Sequence, residues 1–167
     1  FVIRVPFKID MNADKREKQK DVSEKSIKGL HILLAEDNEL NMEIAEFMLQ
    51  NEGAEVTKAW NGQEAVELFR KSKPGEFDVI LMDIMMPVMN GYEATKKIRS
   101  LDREDAKMIP IIAMTANAFT EDRLRAKEAG MDEHIAKPVD GKLLINIIYK
   151  LMKHSFRGSH NEKEKTE

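Results

Sequence analysis

Residues 77–83 read FDVILMD, a short and mainly apolar run that ends in the carboxylate of Asp83. Other apolar runs of this chain also end in polar side chains, namely Glu36-Asp37, Thr115 and Lys137. Short apolar runs that alternate with amphipathic segments are typical of buried parallel strands joined by helices. The pattern therefore predicts an α/β fold.

The order of these segments defines the fold more closely. The predicted strands cover residues 31–35, 55–59, 77–82, 109–114 and 133–136, and the predicted helices cover residues 38–52, 62–72, 91–100, 120–129 and 139–153. Right-handed crossovers between such strands place helices on both faces of the sheet. We predict a flavodoxin-like, doubly wound (βα)5 sandwich with a five-stranded parallel sheet in the order 2-1-3-4-5.

The first predicted helix carries apolar residues at helical spacing. Leu40, Ile44, Phe47 and Met48 recur at intervals of one turn, and this spacing indicates an amphipathic helix.

The composition divides the chain into four zones. Residues 1–9 alternate between apolar and other side chains as a strand does. Residues 10–28 form a charged linker, residues 29–153 form the α/β domain, and residues 154–167 form a polar tail. The chain begins with Phe1 rather than methionine, which indicates a piece of a longer protein.

The bulk properties exclude several classes of function. A net charge of -3 gives no reason to expect nucleic acid or an anionic membrane as a partner. The chain has no apolar run near the ~20 residues that span a bilayer and no signal peptide pattern. Because cysteine is absent, disulfides and thiolate metal sites are excluded. We expect a cytoplasmic domain, whose parent protein is anchored in a membrane or free.

The polar residues at the strand ends suggest a phosphoryl site. The carboxyl ends of parallel strands meet at one edge of the sheet, where ligands bind. There, Asp83 is a candidate nucleophile for a phosphoryl group, and Glu36, Asp37 and Asp83 are candidate Mg²⁺ ligands. Lys137 and Thr115 are candidate contacts for phosphoryl oxygens.

Each of these residues also has a plain structural reading. Asp37 alone is as compatible with capping the helix that begins at Asn38 as with binding a metal. Asp83 and Thr115 alone are more typical of turns or caps, and Lys137 alone is typical of a surface. The joint pattern favours the site, because clustered carboxylates without a cation repel one another.

The motifs around these residues resemble those of response-regulator receiver domains. They are LLAEDN (33–38), MDIMMPVMNG (82–91), AMTA (113–116) and AKP (136–138), and the likeness covers about residues 29–153. It implies that Asp83 is the phosphoacceptor, with a histidine kinase or histidine phosphotransfer domain as partner. It also implies Mg²⁺ on Glu36, Asp37, Asp83 and the backbone carbonyl of Met85, a phosphoryl contact from Thr115 and Lys137, and a cis Lys137-Pro138 bond.

One position departs from the receiver pattern. The family usually has Tyr or Phe three residues before the lysine, as a ring that rotates on phosphorylation, whereas this chain has His134. Either the imidazole replaces that ring or it is a satisfied residue at the sheet edge. The resemblance still implies that Thr115 moves toward the phosphoryl group, and that residues 116–119 and the helix over 120–129 repack.

The first zone, FVIRVPF (1–7), resembles the last strand of the ATP-binding domain of sensor histidine kinases. Together with the linker and the receiver, it suggests the C-terminal part of a hybrid sensor kinase. We expect residues 1–9, as a remnant of that domain, to pair with a second copy in a homodimer or to be disordered. There are three alternatives: a stand-alone receiver that shuttles phosphoryl groups, a haloacid-dehalogenase-like phosphatase, and an interaction module that accepts no phosphate. The phosphatase family has a second Asp at the position that Met85 occupies in this chain.

Overall fold

The computed structural model describes residues 26–116 and 120–158. In chain order, the elements are β1 (His31–Ala35), α1 (Glu39–Asn51), β2 (Glu55–Ala59), α2 (Gly62–Lys71), β3 (Val79–Asp83), α3 (Gly91–Arg99), α4 (Glu104–Met108), β4 (Ile111–Thr115), α5 (Thr120–Ala129), β5 (Glu133–Ala136) and α6 (Gly141–Gly158). The predicted strand over residues 1–9, nearly all of the predicted linker, and most of the polar tail lie outside the described residues.

The five strands form one parallel sheet in the order β2-β1-β3-β4-β5, which confirms the predicted fold. β3 and β4 each end one residue later than predicted. Asp83 still pairs with Met114, and Thr115 still pairs with Ala136, so both polar residues are the last residues of their strands. The sheet ladder therefore fixes the backbone at these two positions.

Alternate residues of the central strands pack on opposite faces of the sheet, as the two-residue period of a strand requires. On one face, Leu33, Ile80 and Met82 pack with the buried sides of α2 and α3, including Phe69 and Ile98. On the other face, the core consists of strand residues with parts of α1 and α6, namely Ile32, Leu34, Leu81, Ile112, Met42, Leu49, Leu144 and Ile148. Helices thus cover both faces.

The helix α1 buries a different side from the one that its most apolar residues indicate. Leu40, Ile44 and Phe47 are 64%, 44% and 71% exposed. The buried residues of this helix are instead Met42, Ala45 and Leu49. With apolar residues on opposite sides of α1, only the position of the sheet decides which side is buried, and the other side remains as an exposed apolar surface.

The short helix α4 has no counterpart among the predicted elements. It follows Arg103, whose side chain pairs with Asp105 at 2.6 Å and donates hydrogen bonds to the carbonyl groups of Phe69 and Ser72. Arg103 therefore ties α4 to the C-terminal end of α2. Five residues are too few for a periodic pattern, so the sequence alone does not reveal this helix.

Asparagine residues cap the helices that follow the first three strands. Asn38, Asn61 and Asn90 each accept a hydrogen bond from the backbone N–H three residues later. The cap of α1 is therefore Asn38, and the alternative reading of Asp37 as that cap is wrong. Across residues 26–116 and 120–158, none of the helices has both the length and the apolar character to cross a bilayer.

Candidate functional site

The structure brings four of the predicted strand-end positions together. Glu36, Asp83 and Thr115 are buried, with 2%, 3% and 6% of their surface exposed, at the carboxyl ends of β1, β3 and β4. Lys137 follows β5 directly, and its side chain is 18% exposed. Buried charged groups need partners, because their removal from water costs free energy.

Lys137 provides the central contact of the site. Its Nζ donates hydrogen bonds to Asp83 Oδ2 at 2.7 Å and to Glu36 Oε2. Its backbone N–H donates to the carbonyl oxygen of Thr115 at 2.7 Å, which holds the segment against β4. The Lys137-Pro138 bond is cis, as predicted.

The acidic residues form a group that fits a divalent cation. Carboxylate oxygens of Glu36, Asp37 and Asp83 all lie within 4.8 Å of one another. Asp37 is exposed, whereas the other two are buried, so the group opens to solvent on one side. Hard cations such as Mg²⁺ prefer oxygen ligands and retain several waters. The three carboxylates supply oxygen ligands, and the open side leaves room for water.

The charges of the site are coupled. Burial raises the pKa of the Asp83 carboxyl above its ordinary value, although the hydrogen bond from Lys137 acts in the opposite direction. Burial also disfavours the charged form of Lys137, but its hydrogen bonds to Asp83 and Glu36 outweigh that effect and raise the pKa of Lys137. The lysine therefore stays charged at neutral pH and neutralises part of the acidic group.

The loop after β3 holds the second oxygen of Asp83. The backbone N–H of Met85 donates to Asp83 Oδ1 at 3.1 Å. The chain then returns so closely that a Cβ on Gly91 would lie 2.2 Å from the carbonyl oxygen of Asp83. Only glycine fits this approach. Met85 is also the residue whose carbonyl is predicted to bind the metal, and that role stays a prediction.

Two asparagines of the site are absent from the predicted set. Glu36 Oε1 accepts hydrogen bonds from the backbone N–H of Asn38 and from Nδ2 of Asn41, both at 3.2 Å. Asn38 carries a sequence signal, since asparagine is a preferred N-cap residue. Asn41 carries none, because its contact depends on how the loop folds back over the helix.

The two predicted switch residues lie on neighbouring strands. Thr115 ends β4, and His134 lies half-buried on β5 beside Ala113. His134 lines a groove with Arg123 and Lys127 of α5. Residues 117–119, which are three of the four residues between β4 and α5 that are predicted to repack, lie outside the described residues.

A protein-family model for the response regulator receiver domain matches residues 32–149, which is more than half of the chain. The chain belongs to the response regulator receiver family. It is a receiver domain of two-component signalling. This family membership does not favour the alternative of a haloacid-dehalogenase-like phosphatase.

Two of the similar curated proteins are histidine kinases that are much longer than this chain. The chain is 37% identical over 165 residues to histidine kinase 1 of Arabidopsis thaliana, a match that covers 80% of the chain and 14% of that protein. It is 39% identical over 119 residues to hybrid signal transduction histidine kinase I of Dictyostelium discoideum, with 70% and 7% covered. The chain therefore spans only a small part of these relatives.

Solved receiver structures resemble the receiver domain closely. One is the receiver domain of a sensor histidine kinase from Pseudomonas aeruginosa, which has a magnesium ion coordinated in its active site cleft (TM-score 0.68, 39% identity, 75% of this chain and 98% of that chain covered). Another comes from a Saccharomyces cerevisiae complex between a histidine phosphotransfer protein and the receiver domain of its downstream response regulator (TM-score 0.64, 29% identity, 72% and 87% covered).

Proposed function

We propose that Asp83 accepts a phosphoryl group from a phosphohistidine. The observation that carries this proposal is the contact of one lysine, Lys137, with both Asp83 and Glu36 across the edge of the sheet. In the transfer, a carboxylate oxygen of Asp83 forms a bond to phosphorus while the phosphorus–nitrogen bond of the donor breaks. The released imidazole nitrogen keeps the electron pair of that bond and takes a proton from solvent.

We further propose that Glu36, Asp37, Asp83 and the backbone carbonyl of Met85 hold Mg²⁺. The cluster of three carboxylates supports this proposal. When bound, Mg²⁺ supplies positive charge that offsets the repulsion between the carboxylate and the incoming phosphoryl group. Lys137 adds a further positive charge, and its contact with Asp83 holds one oxygen of the nucleophile in place.

The response to phosphorylation involves Thr115 and α5. Thr115 moves toward the phosphoryl group, and residues 116–119 and α5 repack as a second state of the domain. The buried place of Thr115 at the end of β4 supports this role. His134, on the neighbouring strand, is the candidate ring for the remainder of the switch.

The proposed partner is a histidine kinase or a histidine phosphotransfer domain. The exposed side of α1 supports this, since Leu40, Ile44 and Phe47 form an apolar surface on the helix that follows Glu36 and Asp37. Such a surface favours docking of another protein beside the acidic cluster. We assign the chain to a cytoplasmic part of a hybrid sensor histidine kinase, with residues 1–9 as the remnant strand of its ATP-binding domain and as the proposed contact between two copies.

Intact mass after incubation with Mg²⁺ and acetyl phosphate tests the proposed chemistry. Wild-type protein is expected to gain one phosphoryl group, and Asp83→Asn is expected to gain none. If the wild-type protein remains unmodified, the result would support an interaction module that accepts no phosphate. Rapid hydrolysis of many phosphate monoesters would point to a phosphatase, and the same gain on Asp83→Asn would place the phosphoryl group elsewhere.

A second experiment separates docking from chemistry. Phe47→Asp is expected to slow phosphoryl transfer from a phosphorylated histidine phosphotransfer protein while leaving the reaction with acetyl phosphate unchanged. Phe47 is 71% exposed, so the folded protein tolerates the charge. Glu43→Asp on the same helix is the control for a change that leaves the apolar surface intact. Equal transfer rates for the wild type, Phe47→Asp and Glu43→Asp would show that the apolar side of α1 is not part of the docking surface.

A further inference from the structure

The carboxylate of Glu36 is held by hydrogen bonds at both of its oxygens. Oε2 accepts from the ammonium of Lys137, while Oε1 accepts from the backbone of Asn38 and the side chain of Asn41. With 2% of its surface exposed, Glu36 has little water to replace any of these donors. Loss of one donor therefore leaves part of a buried charge unsatisfied.

Asn41 is itself fixed at two points. Its backbone N–H donates to Asn38 Oδ1 at 3.1 Å, and its side-chain Nδ2 donates to Glu36 Oε1 at 3.2 Å. Asn38 also donates its own N–H to the same carboxylate oxygen. The three residues thus form a closed set of hydrogen bonds that joins the first turn of α1 to Glu36.

The charge of the donor matters at this position. Glu36 and Asp83 share one cation, Lys137, and a second lysine or arginine at position 41 would neutralise a further part of the negative charge of the acidic group. The amide of Asn41 instead orients Glu36 while leaving that charge available to a cation. Asn41 also lines a cavity of about 140 Å³ together with Glu36 and Lys137, so it lies beside the acidic group.

We propose that Asn41 is a positioning residue that sets the affinity of the site for Mg²⁺ by orienting Glu36. This inference rests on the proposed function, because it takes the acidic group to be a Mg²⁺ site. Asn41 acts through a hydrogen bond to a ligand candidate and needs no contact with the ion. Outer partners of this kind change metal affinity by about 10-fold or more when they are removed.

Titration of the ¹⁵N-labelled full chain with MgCl₂, followed by amide chemical shifts, measures the affinity without any reaction. Asn41→Ala is expected to weaken Mg²⁺ binding about 10-fold. Asn41→Leu, which is a better helix former but also lacks the donor, is expected to do the same. Asn51→Ala is the matched control, because Asn51 is exposed at the other end of the same helix.

The same substitution in a Glu36→Ala background tests whether Asn41 acts through Glu36. There, Asn41→Ala is expected to change the affinity by less than about 2-fold, since the two residues would no longer interact. Wild-type affinity in both Asn41 variants, or an equal loss in the Glu36→Ala background, overturns the role of Asn41. Wild-type protein that shows no Mg²⁺-dependent shifts overturns the proposed metal site itself.

Discussion

Lys137→Met is the perturbation that most directly examines the charge balance of the site. It removes an ammonium that contacts both Glu36 and Asp83, whose surfaces are 2% and 3% exposed. Removing one partner of a buried ion pair costs about 3–5 kcal/mol. The folded protein has one way to lower this cost, which is to protonate a carboxylate.

Protonation of a carboxylate limits the loss of stability in Lys137→Met and makes that loss depend on pH. Holding a proton at pH 7 on a carboxyl with an ordinary pKa of about 3.9 costs about 4 kcal/mol, and at pH 5.5 it costs only about 2 kcal/mol. In the variant, the carboxyl that takes up the proton is expected to have a higher pKa in the folded state than in the unfolded state, so the folded state binds the extra proton. Stability relative to wild type therefore falls as pH rises from 5.5 to 7.

Urea denaturation in EDTA at pH 5.5 and pH 7 measures this difference. We expect Lys137→Met to lose about 3–4 kcal/mol at pH 7 and no more than about 2 kcal/mol at pH 5.5. We also expect MgCl₂ to stabilise the variant more than the wild type, because a cation replaces the missing charge. Lys142→Met, at an exposed lysine of α6, is the control. A loss that is independent of pH, or equal to that of the control, would refute the reasoning.

Three further predictions concern stability, and urea denaturation measures each of them. Thr95→Val is expected to add about 1 kcal/mol to the free energy of unfolding, because the Thr95 hydroxyl is fully buried without a hydrogen-bond partner among the described residues. A lower stability of the variant would show that the hydroxyl has such a partner. Val88→Gly is expected to add about 0.5–1 kcal/mol, since Val88 has a φ of 68° and is 78% exposed. Unchanged stability would mean that the loop bears no strain. The hydrogen bond from Arg103 lowers the pKa of Asp105 to about 2, so its stabilisation is present above about pH 4 and is lost as pH falls toward 2. Asp105→Asn should remove that part of the acid dependence, and an unaltered pH profile between 4 and 2 would contradict the assignment.

The core of the site follows from the sequence because of a simple geometric rule. Parallel strands end at one edge of the sheet, so Glu36, Asp83, Thr115 and Lys137 meet once the strands are correctly assigned. The boundaries of β3 and β4 were harder to predict, since Asp83 and Thr115 are polar and resemble the start of a loop. Their backbones nevertheless pair with Met114 and Ala136, and this pairing is visible only in the sheet.

The partners of these residues could not be predicted in the same way. The hydrogen bond from Asn41 to Glu36 depends on the path of the three-residue loop between β1 and α1. Likewise, Arg103 reaches the carbonyl groups of Phe69 and Ser72, which precede it by about thirty residues in the sequence. Contacts of this kind leave no periodic signal, because one depends on the path of a single loop and the other on the approach of two distant segments.

Local patterns were sufficient to determine the order of the strands and of every described helix except α4, the polar residues at the strand ends and the membership of the receiver family. These properties depend on periodicity and on short motifs, both of which lie within neighbouring residues. The tertiary structure alone decided which side of α1 is buried. Leu40, Ile44 and Phe47 lie on one side of that helix, and Met42 and Leu49 lie on the other, so both sides are apolar enough to pack. The sheet can cover only one of them, and its position relative to α1 determines which.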